Sequence, residues 1–117
     1  MGDPDELTLV VKALKSGLGG CVEWAPEAFD RVQREMLEFR LSLDAIRAAL
    51  ILFAKNGGPV RQVKEQRNEW KDRRDYYYKA VVPMPKIFKN GLFVELELAD
   101  ADQDYPEVLL VNAHEQK

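Results

Sequence analysis

His114, the chain's one histidine, stands near the end of an alternating run, VLLVNAHEQK. Imidazole is the only side chain whose unperturbed pKa lies near neutrality, so His114 is the natural candidate for moving a proton as general acid or base. A second chemically dense stretch is DRRDYYYKAVVP at residues 72–83, with three tyrosines between two arginines and a lysine. It belongs to a basic region that contains Arg61, Lys64, Arg67, Lys71, Arg73, Arg74 and Lys79, with Trp70 among them. Guanidinium forks match phosphate geometry, and aromatic rings offer stacking surfaces to unpaired bases. Alternation along an extended strand puts Tyr76, Tyr78, Ala80 and Val82 on one side and Tyr77 and Lys79 on the other. The aliphatic continuation predicts that the first set is core and that Tyr77 and Lys79 share an open face. There a lysine beside a phenol could stabilise a phosphate or a developing oxyanion. His114, Tyr77 and Lys79 are therefore the candidate catalytic groups, with Arg61, Lys64, Arg67, Trp70, Arg73 and Arg74 as candidate RNA contacts.

The same residues admit a plainer reading. The arginines could pair with Glu65, Glu69, Asp72 and Asp75 on a solvated surface, since runs of mixed charge usually do no more than that. His114 could be an exposed histidine with no role. Asp100, Asp102 and Asp104 alternate like the opening of a calcium loop. However, Tyr105 stands where that loop needs glycine and Val111 where it needs a bidentate glutamate, which leaves an acidic hairpin tip. The chain contains no phosphate-binding glycine loop, no zinc spacing and no serine nucleophile elbow, so neither metal nor cofactor is expected. Cys21, the one cysteine, reads as a packing residue.

The elements that must position these groups can be traced along the chain. Asp3 and Pro4 suit a helix start, and Leu7, Val10, Val11 and Leu14 recur at helical spacing up to a stop at Gly17. SGLGG at 16–20 is a connection. A second helix is expected from Pro26, with Phe29, Val32, Met36 and Phe39 on its apolar face. Ser42 can cap a third helix, whose stripe is Ile46, Ala49, Leu50 and Phe53 and which Asn56-Gly57-Gly58-Pro59 ends. Val60 and Val63 could open a short strand, and residues 75–82 form the next. Residues 92–98 alternate cleanly between Leu92, Val94, Leu96, Leu98 and Phe93, Glu95, Glu97, and residues 108–114 make the last strand. Helices first and strands last predict an α+β domain over 1–117 with a helical part, 1–58, and a sheet part, 59–117. Two or three N-terminal helices would pack on one face of an antiparallel sheet of three to four strands.

Composition bounds the classes. The chain has 117 residues, 46% hydrophobic and 32% charged, the balance of a single globular domain rather than a disordered segment. No apolar run approaches the ~20 residues of a membrane helix, and the acidic start MGDPDELTL is unlike a signal peptide. With one cysteine, this predicts a reducing, cytoplasmic setting and no membrane partner. The net charge of −3 is unevenly spread: residues 60–90 carry nine basic and four acidic side chains, residues 91–117 one basic and seven acidic. Strong nonspecific DNA binding is disfavoured, but a local basic face is not.

The layout of helices, then a strand with R-x-Y-x-Y, then GLFVELEL, then the terminal VLLVNAHEQK, resembles the RelE/ParE-like superfamily of small bacterial toxins, nearest to its MqsR-like and BrnT-like branches. FRLSLDAIRAALILFAKNGG also resembles a helix of the BrnT-like kind, and the likeness spans roughly residues 26–117. The resemblance implies a metal-free endoribonuclease that cleaves mRNA with scattered Lys, Arg, Tyr and His residues over a concave sheet, here Arg67, Arg74, Tyr77, Lys79 and His114. It also implies a cognate antitoxin or other protein as partner. This chain departs from the type in its acidic balance and in a tail with a single lysine. A non-enzymatic interaction or regulatory module of the same fold is the competing expectation.

Overall fold

The computed structural model describes residues 6–17, 20–72 and 74–117; the expected capping residues Asp3 and Pro4, and Arg73, lie outside them. Helix α1 spans Glu6–Ser16 and buries Leu9, Val10, Ala13 and Leu14. Strand β1, Val22–Trp24, follows. Helix α2 is Pro26–Met36, with proline in its first turn, where the missing N–H costs nothing. One 3-10 turn, Leu37–Phe39, ends at Arg40 in the left-handed region (φ 55°). Helix α3 is Leu43–Lys55, and the Ser42 hydroxyl accepts the Ala45 N–H at 3.0 Å, the expected cap. Gly57 takes a φ of +83° to stop the helix. A side chain at Gly58 would lie 2.5 Å from the Phe53 ring, so the turn sits flat against the helix.

Strands β2 (Arg61–Lys64), β3 (Tyr76–Met84), β4 (Phe88–Asp100) and β5 (Glu107–Glu115) complete the chain. The sheet order is β1-β5-β4-β3-β2. Three antiparallel pairs run from β2 to β5, and β1 joins β5 in parallel, with Val22 opposite Val108 and Trp24 opposite Leu110. The architecture is α+β, but the sheet has five strands and is mixed, where three or four antiparallel strands were expected. The added strand is drawn from the helical half. Three residues, VEW, return from α1 to α2 and pair along the β5 edge, continued by the Ala25 N–H donating to Leu110 O at 2.9 Å.

The helices cover one face of this sheet. Tyr78, Ala80, Val82, Leu92, Val94, Leu96, Val108, Leu110 and Ala113 meet Val10, Leu14, Ala28, Val32, Met36, Ile46 and Leu50 in a single core. Phe39 meets Phe88 edge to face, with centroids 4.8 Å apart. Each large aliphatic side chain buried here is worth about 1.5–3 kcal/mol relative to exposure. The expected face of β3 holds for Tyr78, Ala80 and Val82, which are buried, but Tyr76 at the start of the strand, expected in the core with them, is 37% exposed. In α2, Ala28 rather than Phe29 turns inward, and Phe29 is exposed. No described helix is long and apolar enough to cross a membrane.

One irregularity controls the far face. Across β4 and β5, Glu95 pairs with Asn112 but Leu96 with Leu110, so Val111 is an extra residue, a β-bulge. Before it, Val108 and Leu110 point to the core; after it, Ala113 does. Strict alternation would put His114 with Val108 and Leu110. The bulge instead sends it to the face without helices, opposite Phe93.

Candidate functional site

The open face carries Arg61 and Val63 of β2, Tyr77, Lys79 and Val81 of β3, Phe93, Glu95 and Glu97 of β4, and His114 of β5, as the registers require. Arg67 and Arg74, from the connection between β2 and β3, reach Glu95 on this face, so that half of it is covered and half is not.

In the covered half, three carboxylates, Glu65, Glu95 and Glu97, are each 4–6% exposed. Two guanidinium groups neutralise most of that charge. Arg67 donates to Glu65 through Nε (2.8 Å) and Nη2 (2.9 Å), and to Glu95 through Nη2 (2.8 Å) and Nη1 (3.3 Å). Arg74 donates to Glu65 at 2.9 Å and Glu95 at 3.2 Å, and its Nη1 lies 3.4 Å from Glu97 Oε1. Aromatic rings stack on these planes: Tyr77 lies 4.5 Å from the Arg67 guanidinium carbon, and Trp70 lies 4.9 Å from that of Arg74. The hydrogen bonds from Arg67 hold the Glu65 carboxyl down at about 2, against the opposing pull of its burial and with further help from Arg74. Reciprocally, Glu65 and then Glu95 push the Arg67 guanidinium still higher than its ordinary value.

The uncovered half is different. Arg61, directly opposite Lys79, joins Lys79, His114 and Gln116 around a groove of about 450 Å³ whose remaining lining is Pro59, Ala80, Val81 and Phe93. None of these residues is a carboxylate. Lys79 stands opposite Glu95 in the ladder, but Arg67 and Arg74 hold that carboxylate. Among the described residues, neither Arg61 nor Lys79 makes an ion pair. The His114 ring stacks on Phe93, with centroids 4.7 Å apart and planes at 21°. Its Nδ1 lies 3.0 Å from Glu115 O, a carbonyl that can only accept, which suits the tautomer that donates from Nδ1 and keeps Nε2 as the acceptor.

The expected site residues therefore separate. His114, Lys79 and Arg61 come together. Tyr77 shares their face, but its ring lies beneath Arg67 and does not line the groove. Arg67, Arg74 and Trp70 form the covered cluster. Lys64 pairs with Tyr76, on the same side of the sheet as Tyr78, and so faces away from His114. Arg73 lies outside the described residues. Phe93, Gln116 and Arg31 were not singled out from the sequence. Arg31 donates to Asn112 Oδ1 (2.9 Å) and Val111 O (3.1 Å), capping the bulge from α2. The period of β4 could have flagged Phe93, because it shares the open side with Glu95.

The acidic tip folds on itself. Asp100 Oδ1 accepts the Asp102 N–H, and Asp102 Oδ1 accepts those of Asp104 (2.8 Å) and Tyr105 (2.9 Å). Those backbone donors hold the Asp102 carboxyl below its ordinary value. Among the described residues, no group of three or more His, Cys, Asp or Glu side chains is disposed to hold a metal ion. No protein-family model matches the chain, and no curated protein or solved structure matches it.

Proposed function

We propose that this protein is an endoribonuclease of the RelE/ParE-like toxin kind, cleaving single-stranded RNA by general acid–base chemistry. The observation that carries the reading is the uncovered groove: two unpaired cations and an imidazole converge in a depression without a carboxylate. Arg61 and Lys79 hold the scissile phosphate and offset its growing charge. His114 Nε2 takes the proton of the ribose 2′-hydroxyl, whose oxygen attacks phosphorus and expels the 5′-oxygen, which takes its proton from water in the open groove. The products are a 2′,3′-cyclic phosphate and a 5′-hydroxyl end. Tyr77 acts indirectly, through the guanidinium that it supports. A cognate antitoxin and a cytoplasmic setting belong to the same proposal.

The assay is incubation of the purified protein with single-stranded RNA and with DNA of the same sequence. Cleavage of the RNA alone, giving cyclic-phosphate ends and lost in His114→Ala and Lys79→Ala, is the expected result. Intact RNA at stoichiometric protein, together with undiminished bacterial growth on induced expression, would overturn the reading.

One observation favours a second reading, a non-enzymatic interaction or regulatory module. Arg67 and Arg74, two of the cations best suited to grip phosphate, are spent on internal carboxylates. That reading predicts a folded protein that retains RNA or a protein partner without cutting anything.

A further inference from the structure

Arg67 cannot hold a phosphate, yet it is built for another contact. Four of its five N–H donors point in the guanidinium plane to Glu65 and Glu95. One face of the plane rests on Tyr77. The side chain is nonetheless 39% exposed and borders a cavity of about 290 Å³, shared with Trp70, Arg31 and Asn112. That volume is at the small end for ligand sites, which run from about 300 Å³ upward. Tyr77 and Lys79 are two residues apart on one side of β3, about 7 Å along the strand. A base joined to a phosphate held at Lys79 reaches that far.

We infer that the outer face of Arg67, clamped flat by Glu65 and Glu95 and backed by Tyr77, is a stacking platform for one unpaired nucleobase of RNA. The inference rests on the groove being a phosphate site and adds to it a reason for single-strand preference, because a base inside a duplex cannot present its face to the platform.

The test compares binding of two uncleavable probes, a 2′-O-methyl hexa-adenylate and the same backbone without bases, to the wild-type protein. The hexa-adenylate should bind about five- to 150-fold tighter, the span of one stacked base. In a Trp24→Phe background it should also change the emission of Trp70, which borders the cavity. Arg67→Lys keeps the charge and removes the plane, and should erase most of the difference between the probes. Equal binding of both probes, weakened by Lys79→Ala, would overturn the platform and leave the phosphate groove standing. A preference for bases with unchanged Trp70 emission would also overturn it, by placing the stack elsewhere. Failure of both probes to bind would remove the groove reading and the platform together.

Discussion

Two halves of one sheet face are built from the same basic stretch, and they use it in opposite ways. In one half, Arg67 and Arg74 are matched to Glu65, Glu95 and Glu97, with the three carboxylates and Arg74 withdrawn from water and Arg67 partly exposed. A few ångströms along the strands, Arg61 and Lys79 line a groove with His114 and, among the described residues, pair with no carboxylate. Residue type does not separate them. What separates them is who holds the carboxylates: Lys79 faces Glu95 across the ladder, but Arg67 and Arg74 take that carboxylate, and the next open-face position of β4 toward the groove is Phe93. A buried charge must be paired to be tolerated, whereas an unpaired cation must stay wet, ready to exchange water for an anion. The paired half holds the fold together, and the unpaired half is where a ligand can enter.

The sharpest way to break this contrast is to unpair the covered half. Glu65→Ala leaves the buried Arg74 and the partly exposed Arg67 short of a partner and should lower unfolding stability by about 3 kcal/mol in urea denaturation, the low end for a broken buried pair because water screens Arg67. Acid does the same without a mutation. The folded-state pKa of Glu65 is about 2, against an ordinary 4.5. Its contribution is therefore complete above pH 4.5 and is lost as pH falls toward 2, at most about 3 kcal/mol. Urea midpoints measured from pH 6 to pH 2 should show this loss, and Glu65→Gln should flatten the curve.

A smaller effect tests the other half. Val81→Glu puts a carboxylate into the groove at a position already 40% exposed. It should leave stability nearly unchanged but weaken RNA binding about tenfold or more, by pairing Lys79 and repelling phosphate. Smallest in stability is Lys79→Ala, expected within about 0.5 kcal/mol of wild type. Its signature lies in binding, where the salt dependence of RNA affinity should fall by about one unit of slope. If Lys79→Ala instead destabilised the protein as much as Glu65→Ala, the two halves would not differ as described.

Local signals carried much of this fold. The Ser42 cap, the stop at Gly57 and the buried side of β3 were readable because each depends on residues close in sequence. Strand β1 was not, because three residues after a glycine-rich connection show no period, and only the β5 edge makes them a strand. Lys79 was readable on the open face from β3 alone, but strict alternation along β5 would have separated His114 from it. Only the extra residue in β5 restores it. The fate of Arg67 was legible in part: the plainer reading paired the arginines with Glu65, which Arg67 and Arg74 do, but on a solvated surface, whereas Glu65 is buried and the second partner, Glu95, is 28 positions away. Long-range ion pairing leaves no trace in periodicity.

The extra residue at Val111 has a consequence for how this protein can change over generations. Every later position of β5 faces the way it does because of one additional peptide unit. Deleting that unit would swing the imidazole into the interior and push Ala113 outward, with the functional groups themselves untouched. A frame-preserving loss of a single codon would therefore silence the groove more thoroughly than most point substitutions. Sequences that keep these side chains but differ by one in the count should not be assumed to share an activity.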